Sequence, residues 1–149
     1  MKTVHESTDT ESAVAVSTRR DSVGLLMSRP LATIDHATTL RRAAEELSGG
    51  NIGALVVLHG EALVGVLSER DVVAHVALGA DLDHLSVGEV MQGDVVTTTA
   101  DASAWDAACT MVHADVRHLP VLVGDRAEGM VSIRDLVAAL CEERAGTAS

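Results

Sequence analysis

Apolar positions along the chain change their period several times, and each change marks an element. Leu40, Ala43, Ala44 and Leu47 recur at i, i+3, i+4 and i+7, with Arg41, Arg42, Glu45 and Glu46 filling the opposite face. That is the stripe of an amphipathic helix, and Gly49-Gly50 gives it a stop. The run Leu31-Ala32-Thr33-Ile34 before it predicts a short strand. After it, the apolar runs 55–58 and 63–67 flank His59-Gly60-Glu61, the arrangement of a β-hairpin. A second helix is expected over residues 69–78, and a helical turn capped by Ser22 over residues 22–27. Residues 1–21, in contrast, are rich in Ser, Thr, Asp and Glu without sustained periodicity. Such a segment buries too little apolar surface to offset its ordering entropy, so a disordered N-terminal tail is expected there.

The pattern then repeats. At an offset of 64, Ser22-Val23-Gly24 falls on Ser86-Val87-Gly88, Ala43-Ala44 on Ala107-Ala108, Val57-Leu58 on Val121-Leu122, and Arg70-Asp71 on Arg134-Asp135. Seventeen of the 53 positions from Ser22 to Ala74 are identical. Chance would give about four, so the chain carries an internal duplication. The second copy runs through the strand 95–99, a helix on Ala104, Ala107, Ala108 and Met111, the hairpin strands 119–122 and 128–131, and a helix over 133–140. The expected units are repeat one over 22–85, repeat two over 86–143, and a C-terminal tail over 144–149. A unit of about 60 residues is marginal alone. The two are therefore expected to pack sheet against sheet about a pseudo-two-fold axis. The fold class is α+β (α/β-type), with β-α-β-β-α order in each repeat.

Composition narrows the function. With 47% hydrophobic residues, one Trp, no Phe and no Tyr, the core must be aliphatic, and stacking platforms for bases are absent. The net charge is −11, and the few basic residues are dispersed, which argues against nucleic acid as a partner. No apolar run approaches the roughly 20 residues that span a bilayer, and residues 1–21 lack a signal-peptide core, so no membrane association and a cytoplasmic location are expected. Cys109 and Cys141 lack metal-type spacing and are expected to be reduced thiols. His36, His59, His75, His84, His113 and His118 include no i, i+4 pair, so no metal site is expected. Trp105 is expected to fill core or dimer-interface volume. No nucleophile elbow is present and Glu45-Glu46 lie on a solvated face, so the chain is not expected to be an enzyme.

The most patterned segment is Gly65-Val66-Leu67-Ser68-Glu69-Arg70-Asp71, repeated as Gly129-Met130-Val131-Ser132-Ile133-Arg134-Asp135. Gly permits close backbone approach, Ser sits at the donor-rich start of a helix, and Asp three residues later can accept two hydrogen bonds from a ribose diol. Ser-x-x-Asp is equally a helix N-cap, worth about 1 kcal/mol, and residue chemistry alone leaves both readings open.

This motif placement, the element order, the duplication, and Val-Arg-His-Leu-Pro-Val at residues 116–121 together resemble a tandem pair of cystathionine-β-synthase (CBS) domains, of the stand-alone bacterial type. The resemblance covers residues 22 to about 143. It implies a disc-like regulatory module, commonly a homodimer, that senses adenosine-containing ligands such as AMP, ADP, ATP, NAD(H) or S-adenosylmethionine in clefts between the repeats. No cofactor is required; the nucleotide is a regulatory ligand, and the protein target is unknown. In a first site, Asp71 would take the ribose, Ser68 and Arg70 the phosphates, and Val95, Val96 and Val116 the adenine, with Arg117 and His118 at the phosphate end. A second site would combine Ser132, Arg134 and Asp135 with Leu31, Ala32 and Ile52. There Gly53-Ala54 replaces the Arg-His pair, and each lost charge-assisted bond is worth about 1.5–3 kcal/mol. The first site is therefore expected to prefer phosphorylated adenosine, and the second to be weaker, empty or suited to a less charged adenosyl ligand. The alternative is a ligand-free dimerisation or docking scaffold in which the Ser and Asp residues only cap helices.

Overall fold

The computed structural model describes residues 22–147, so the tail expected over 1–21 lies outside the described residues. Repeat one contains α1 (Val23–Leu26), β1 (Thr33–Asp35), α2 (Leu40–Gly49), β2 (Ala54–His59), β3 (Ala62–Ser68) and α3 (Glu69–Ala77). Repeat two contains α4 (Val87–Val90), β4 (Thr98–Thr99), α5 (Ala104–Ala114), β5 (His118–Val123), β6 (Arg126–Ser132) and α6 (Ile133–Thr147). Each repeat makes a three-stranded sheet, β1-β2-β3 and β4-β5-β6, with a parallel first pair and an antiparallel hairpin. The hairpin registers shift at Val57/Leu58 and again at Val121/Leu122, the same place in both copies. Gly60 and Gly124 take φ of +64° and +61° at the hairpin turns. The α+β class and the two-repeat architecture are as the sequence predicts.

Three aliphatic clusters hold the chain together, and they do not respect the boundary between repeats. Val87 and Val90 of α4 are buried among Leu40, Leu47, Leu55 and Leu67 of repeat one. Reciprocally, Val23 of α1 is buried among Met111, Leu119, Val131 and Leu136 of repeat two. Backbone bonds fix the exchange: Val87 N–H donates to Thr38 C=O at 2.8 Å, and Val23 N–H to Ala102 C=O at 2.9 Å. The third cluster, Ala54, Val56 and Met130 with Leu31 and Val66 against them, joins the two sheets face to face. Each repeat thus completes its core with the other's leading helix, so a unit that is marginal alone gains buried apolar surface from its partner copy.

Several expectations shift. The first strands are shorter than predicted, because Leu31, Ala32, Val95 and Val96 precede the paired residues. Helix α6 continues past residue 140 to Thr147, so residues 144–147 of the expected C-terminal tail are helical. Trp105 is 66% exposed, which removes it from the core of this chain. The recurrent glycines also acquire a different reason. A Cβ on Gly65 would lie 2.9 Å from the Gln92 carbonyl, and one on Gly129 would lie 2.8 Å from that of Ser28. These positions admit the segment arriving from the other repeat, bridged at Val66↔Gln92 and Ser28↔Met130. The backbone approach that glycine permits here is to protein, not to a ligand.

Candidate functional site

The junctions of β3 with α3 and of β6 with α6 are built alike. Ser68 caps α3: its Oγ accepts from Asp71 N–H at 3.4 Å, and Asp71 Oδ2 accepts from Ser68 N–H at 2.8 Å and from its hydroxyl at 3.0 Å. In repeat two, Ser132 Oγ accepts from Asp135 N–H and Asp135 Oδ2 from Ser132 N–H, both at 3.1 Å. The capping reading of Ser-x-x-Asp therefore describes both copies. Asp71 Oδ1 also accepts from the Gln92 amide at 3.1 Å, and Gln92 belongs to the segment entering repeat two.

A cleft of about 800 Å³ opens beside Asp71, with walls from both repeats. Repeat one supplies Ser68, Arg70 and Asp71; repeat two supplies Val95, Val96, Val116, Arg117 and His118. All eight residues of the expected first site thus line one cavity. Val95, Val96 and Val116 give it an apolar wall, while Arg70 and Arg117 are exposed at its surface. Gly53, Val66 and Glu69, named in the sequence patterns without a binding role, also line it, and so do Ala74, Gln92, Asp94, Ala114 and Asp115, which those patterns did not single out. Asp94 immediately precedes Val95 and Asp115 immediately precedes Val116. Asp115 ends α5 in the left-handed region at φ +53°, and Asn51 occupies the equivalent place after α2 at +51°. Among non-glycine residues, Asn and Asp tolerate that conformation best.

The second set of residues is distributed differently. Leu31 packs in the layer between the sheets, Ala32 and Ile52 pack against the first core, Ser132 and Asp135 hold each other, and Arg134 is exposed. The decisive local difference lies at the Gly53-Ala54 and Arg117-His118 positions. Ala54 is buried between the sheets, whereas His118 lies in the first cleft directly over Gly53; a Cβ on Gly53 would overlap its Nε2. Burial pushes the His118 imidazole below its ordinary pKa, and Arg117 adds to this; Glu69 and Asp135 pull the other way. Elsewhere the rings of His36 and His59, 23 positions apart, pack against each other at a 46° tilt with centroids 4.0 Å apart. Among the described residues, no group of three or more His, Cys, Asp or Glu is arranged to hold a metal ion. No helix of the described residues is long and apolar enough to cross a membrane.

Known proteins share this architecture. The family model of the CBS domain matches residues 20–78 and 87–142. The uncharacterised 17.7 kDa protein in the bps2 3′ region of Acidianus ambivalens is 38% identical over 106 residues, 70% of this chain and 63% of that protein's length. The CBS domain-containing protein YhcV of Bacillus subtilis (strain 168) is 30% identical over 128 residues, covering 85% of this chain and 91% of that one. The crystal structure of the CBS domain pair of protein MJ0100, solved with 5′-methylthioadenosine and S-adenosyl-L-methionine, superposes with a TM-score of 0.73 at 23% identity, covering 82% of this chain and 97% of that one. The duplicated sequence, the exchanged leading helices and these matches agree: the chain belongs to the CBS-domain family, as a tandem pair of CBS domains.

Proposed function

We propose that this regulatory CBS pair senses an adenosine-containing ligand in the cleft between β3–α3 and repeat two, and passes its occupancy to a partner protein in the cytoplasm. The observation that carries the proposal is the convergence of eight side chains from two repeats on one open cavity of about 800 Å³. That size suits a nucleotide, since small-molecule sites span roughly 300–1,000 Å³. The valine wall of Val95, Val96 and Val116 takes the adenine. Ribose hydroxyls displace the exposed Gln92 amide from Asp71 Oδ1, while Oδ2 stays with the cap. Arg70, Arg117 and the start of α3 face the phosphates. The MJ0100 domain pair, whose structure holds two adenosyl ligands, supports the ligand class.

A ligand touching both walls favours conformations in which they lie at the bound spacing, and such differential binding transmits a signal without chemistry. The exposed apolar side chains Val73, Val76 and Leu78 at α3, and Trp105 and Val112 on α5, suit self-association into a homodimer. Thermal shift with AMP, ADP, ATP, NADH and S-adenosylmethionine tests the proposal. Ligand at a hundred times its dissociation constant adds about 2.7 kcal/mol of stability. Replacing Arg117 by Ala is expected to weaken AMP or ATP by roughly ten- to a hundred-fold, the loss of one charge-assisted contact. Absence of any shift favours the second reading, a ligand-free scaffold. That reading draws on the carboxylates of Asp71 and Asp135, each of which accepts from a backbone N–H at its own helix start.

A further inference from the structure

His118 occupies the seam between the repeats. The half-buried ring lies over the space that Gly53 leaves free, and it has no hydrogen-bond partner among the described residues. Its strand position is opposite Ser132, the cap of α6, which brings Asp135 close on one side; Glu69, the first residue of α3, faces it from the other. Arg117 precedes it in the chain. Burial and Arg117 favour the neutral imidazole, Glu69 and Asp135 the charged one, and burial dominates in the free protein. The remaining lining is acidic on balance: Glu69, Asp71, Asp94 and Asp115 against Arg70 and Arg117. A phosphate dianion entering this cleft meets more negative than positive charge. Among the described lining residues, the His118 side chain is the one whose ordinary titration range could add a positive charge near neutral pH.

Building on the cleft reading above, we infer that His118 is a proton-linked selector: phosphorylated adenosine binds with uptake of a proton from solvent onto the imidazole, whereas an uncharged or cationic adenosyl ligand binds with the ring neutral. The incoming phosphate supplies, beside the ring, the opposite charge that burial withholds. Gly53 is part of the device, because any larger side chain there would displace the imidazole. Affinity for AMP then rises as pH falls through the neutral range, approaching ten-fold per pH unit where a full proton is taken up. Affinity for 5′-methylthioadenosine changes little over the same range.

Isothermal titration calorimetry of the full chain with AMP and with 5′-methylthioadenosine, in buffers of different ionisation enthalpy at pH 7, reads the protons exchanged per ligand. The phosphate of AMP itself titrates near pH 6 (about), so wild type is compared with His118→Gln, in which only the ligand's share persists. The inference expects AMP to draw more protons into wild type than into the variant, and 5′-methylthioadenosine to draw none into either. A ¹³Cε1 NMR titration of His118 in the wild-type chain, with and without AMP, gives the same information without a variant: its midpoint should rise on binding. Equal proton uptake in both chains with AMP bound, or an unmoved midpoint, overturns the inference and leaves the sensor reading intact. Binding of 5′-methylthioadenosine but not AMP overturns it in the same way. Failure of every adenosyl ligand to bind overturns both.

Discussion

The two junctions where a hairpin strand runs into a helix share nearly everything except what stands beside them. Ser68–Asp71 and Ser132–Asp135 make the same reciprocal caps, and both sheets receive a strand-like segment from the other repeat across a glycine. At the rim, however, Gly53-Ala54 in one copy corresponds to Arg117-His118 in the other. This difference is a matched pair, not drift at two separate places, because His118 lies on Gly53. At the offset of 64, Gly53 is the counterpart of Arg117 and His118 that of Ala54, so the contact joins neighbouring, non-equivalent positions, and the space left by the glycine of one copy admits the imidazole of the other. The scaffold is the same in both copies, while the rim differs.

The scaffold half of this comparison breaks most visibly in the cores. Leu40→Ala and Leu119→Ala each empty a fully buried position and should cost about 2–5 kcal/mol. Because Val87 completes the first core and Val23 the second, either change is expected to lower one common unfolding transition. Two separated transitions in denaturant, followed by circular dichroism, would show that the exchanged helices do not couple the repeats.

Glycine substitutions separate scaffold from rim. Gly65→Ala and Gly129→Ala both drive a Cβ against a carbonyl of the crossing segment, so each should cost about 1–3 kcal/mol, and by similar amounts. Gly53→Ala meets only the end of an imidazole, which can rotate away. Its expected signature is a smaller stability loss together with movement of the His118 titration, read by NMR, towards its ordinary value. If the Gly53→Ala ring titrates as in wild type, the matched pair is not a pair.

The repeat, the helix periods and the hairpins were legible because each leaves a local trace, and the offset of 64 doubled every trace. The first cleft was legible through the family resemblance, which brought Val95, Val96 and Val116 to Asp71 across the repeat boundary. What stayed hidden depends on proximity in space. Gly65 recurs beside Ser68 and Asp71 and so suggests ligand contact, yet its neighbour is the Gln92 backbone. Gln92 itself has Ser28 as its counterpart and left no repeated signal. Trp105 suggests core by its type, but the face of α5 that carries it is exposed. The pairing of Gly53 with His118 links residues 65 positions apart and has no sequence signature at all.

The paired caps give a finer comparison. Removing either carboxylate by Asp71→Ala or Asp135→Ala should cost about 1 kcal/mol, since both end the same reciprocal arrangement. Only Asp71→Ala is expected also to reduce AMP affinity, because only Asp71 borders the described cleft. Calorimetry and thermal unfolding on the same two variants separate these effects, and equal loss of affinity from both would remove the functional distinction between the two junctions.

The smallest expected effect concerns the leading helices, where the copies differ again. Glu89 accepts at one oxygen from the Ser86 backbone N–H at 2.8 Å and from its hydroxyl at 3.0 Å, whereas repeat one has Leu25 at the equivalent position. The bond from the Ser86 backbone, then that from its hydroxyl, holds the Glu89 carboxyl below its ordinary pKa. A carboxylate depressed in the folded state stabilises above its unfolded pKa, near 4.5, and that contribution disappears as pH falls through the lower folded value. Acid should therefore loosen α4 before α1, although Glu89 is exposed and the effect is small. Amide exchange between pH 6 and pH 3 checks this: Glu89→Gln should remove the part of the loss of α4 protection that follows Glu89 titration and leave α1 unchanged. Protection that falls identically in both helices, with and without Glu89, would mean that their ends are held by the two cores alone.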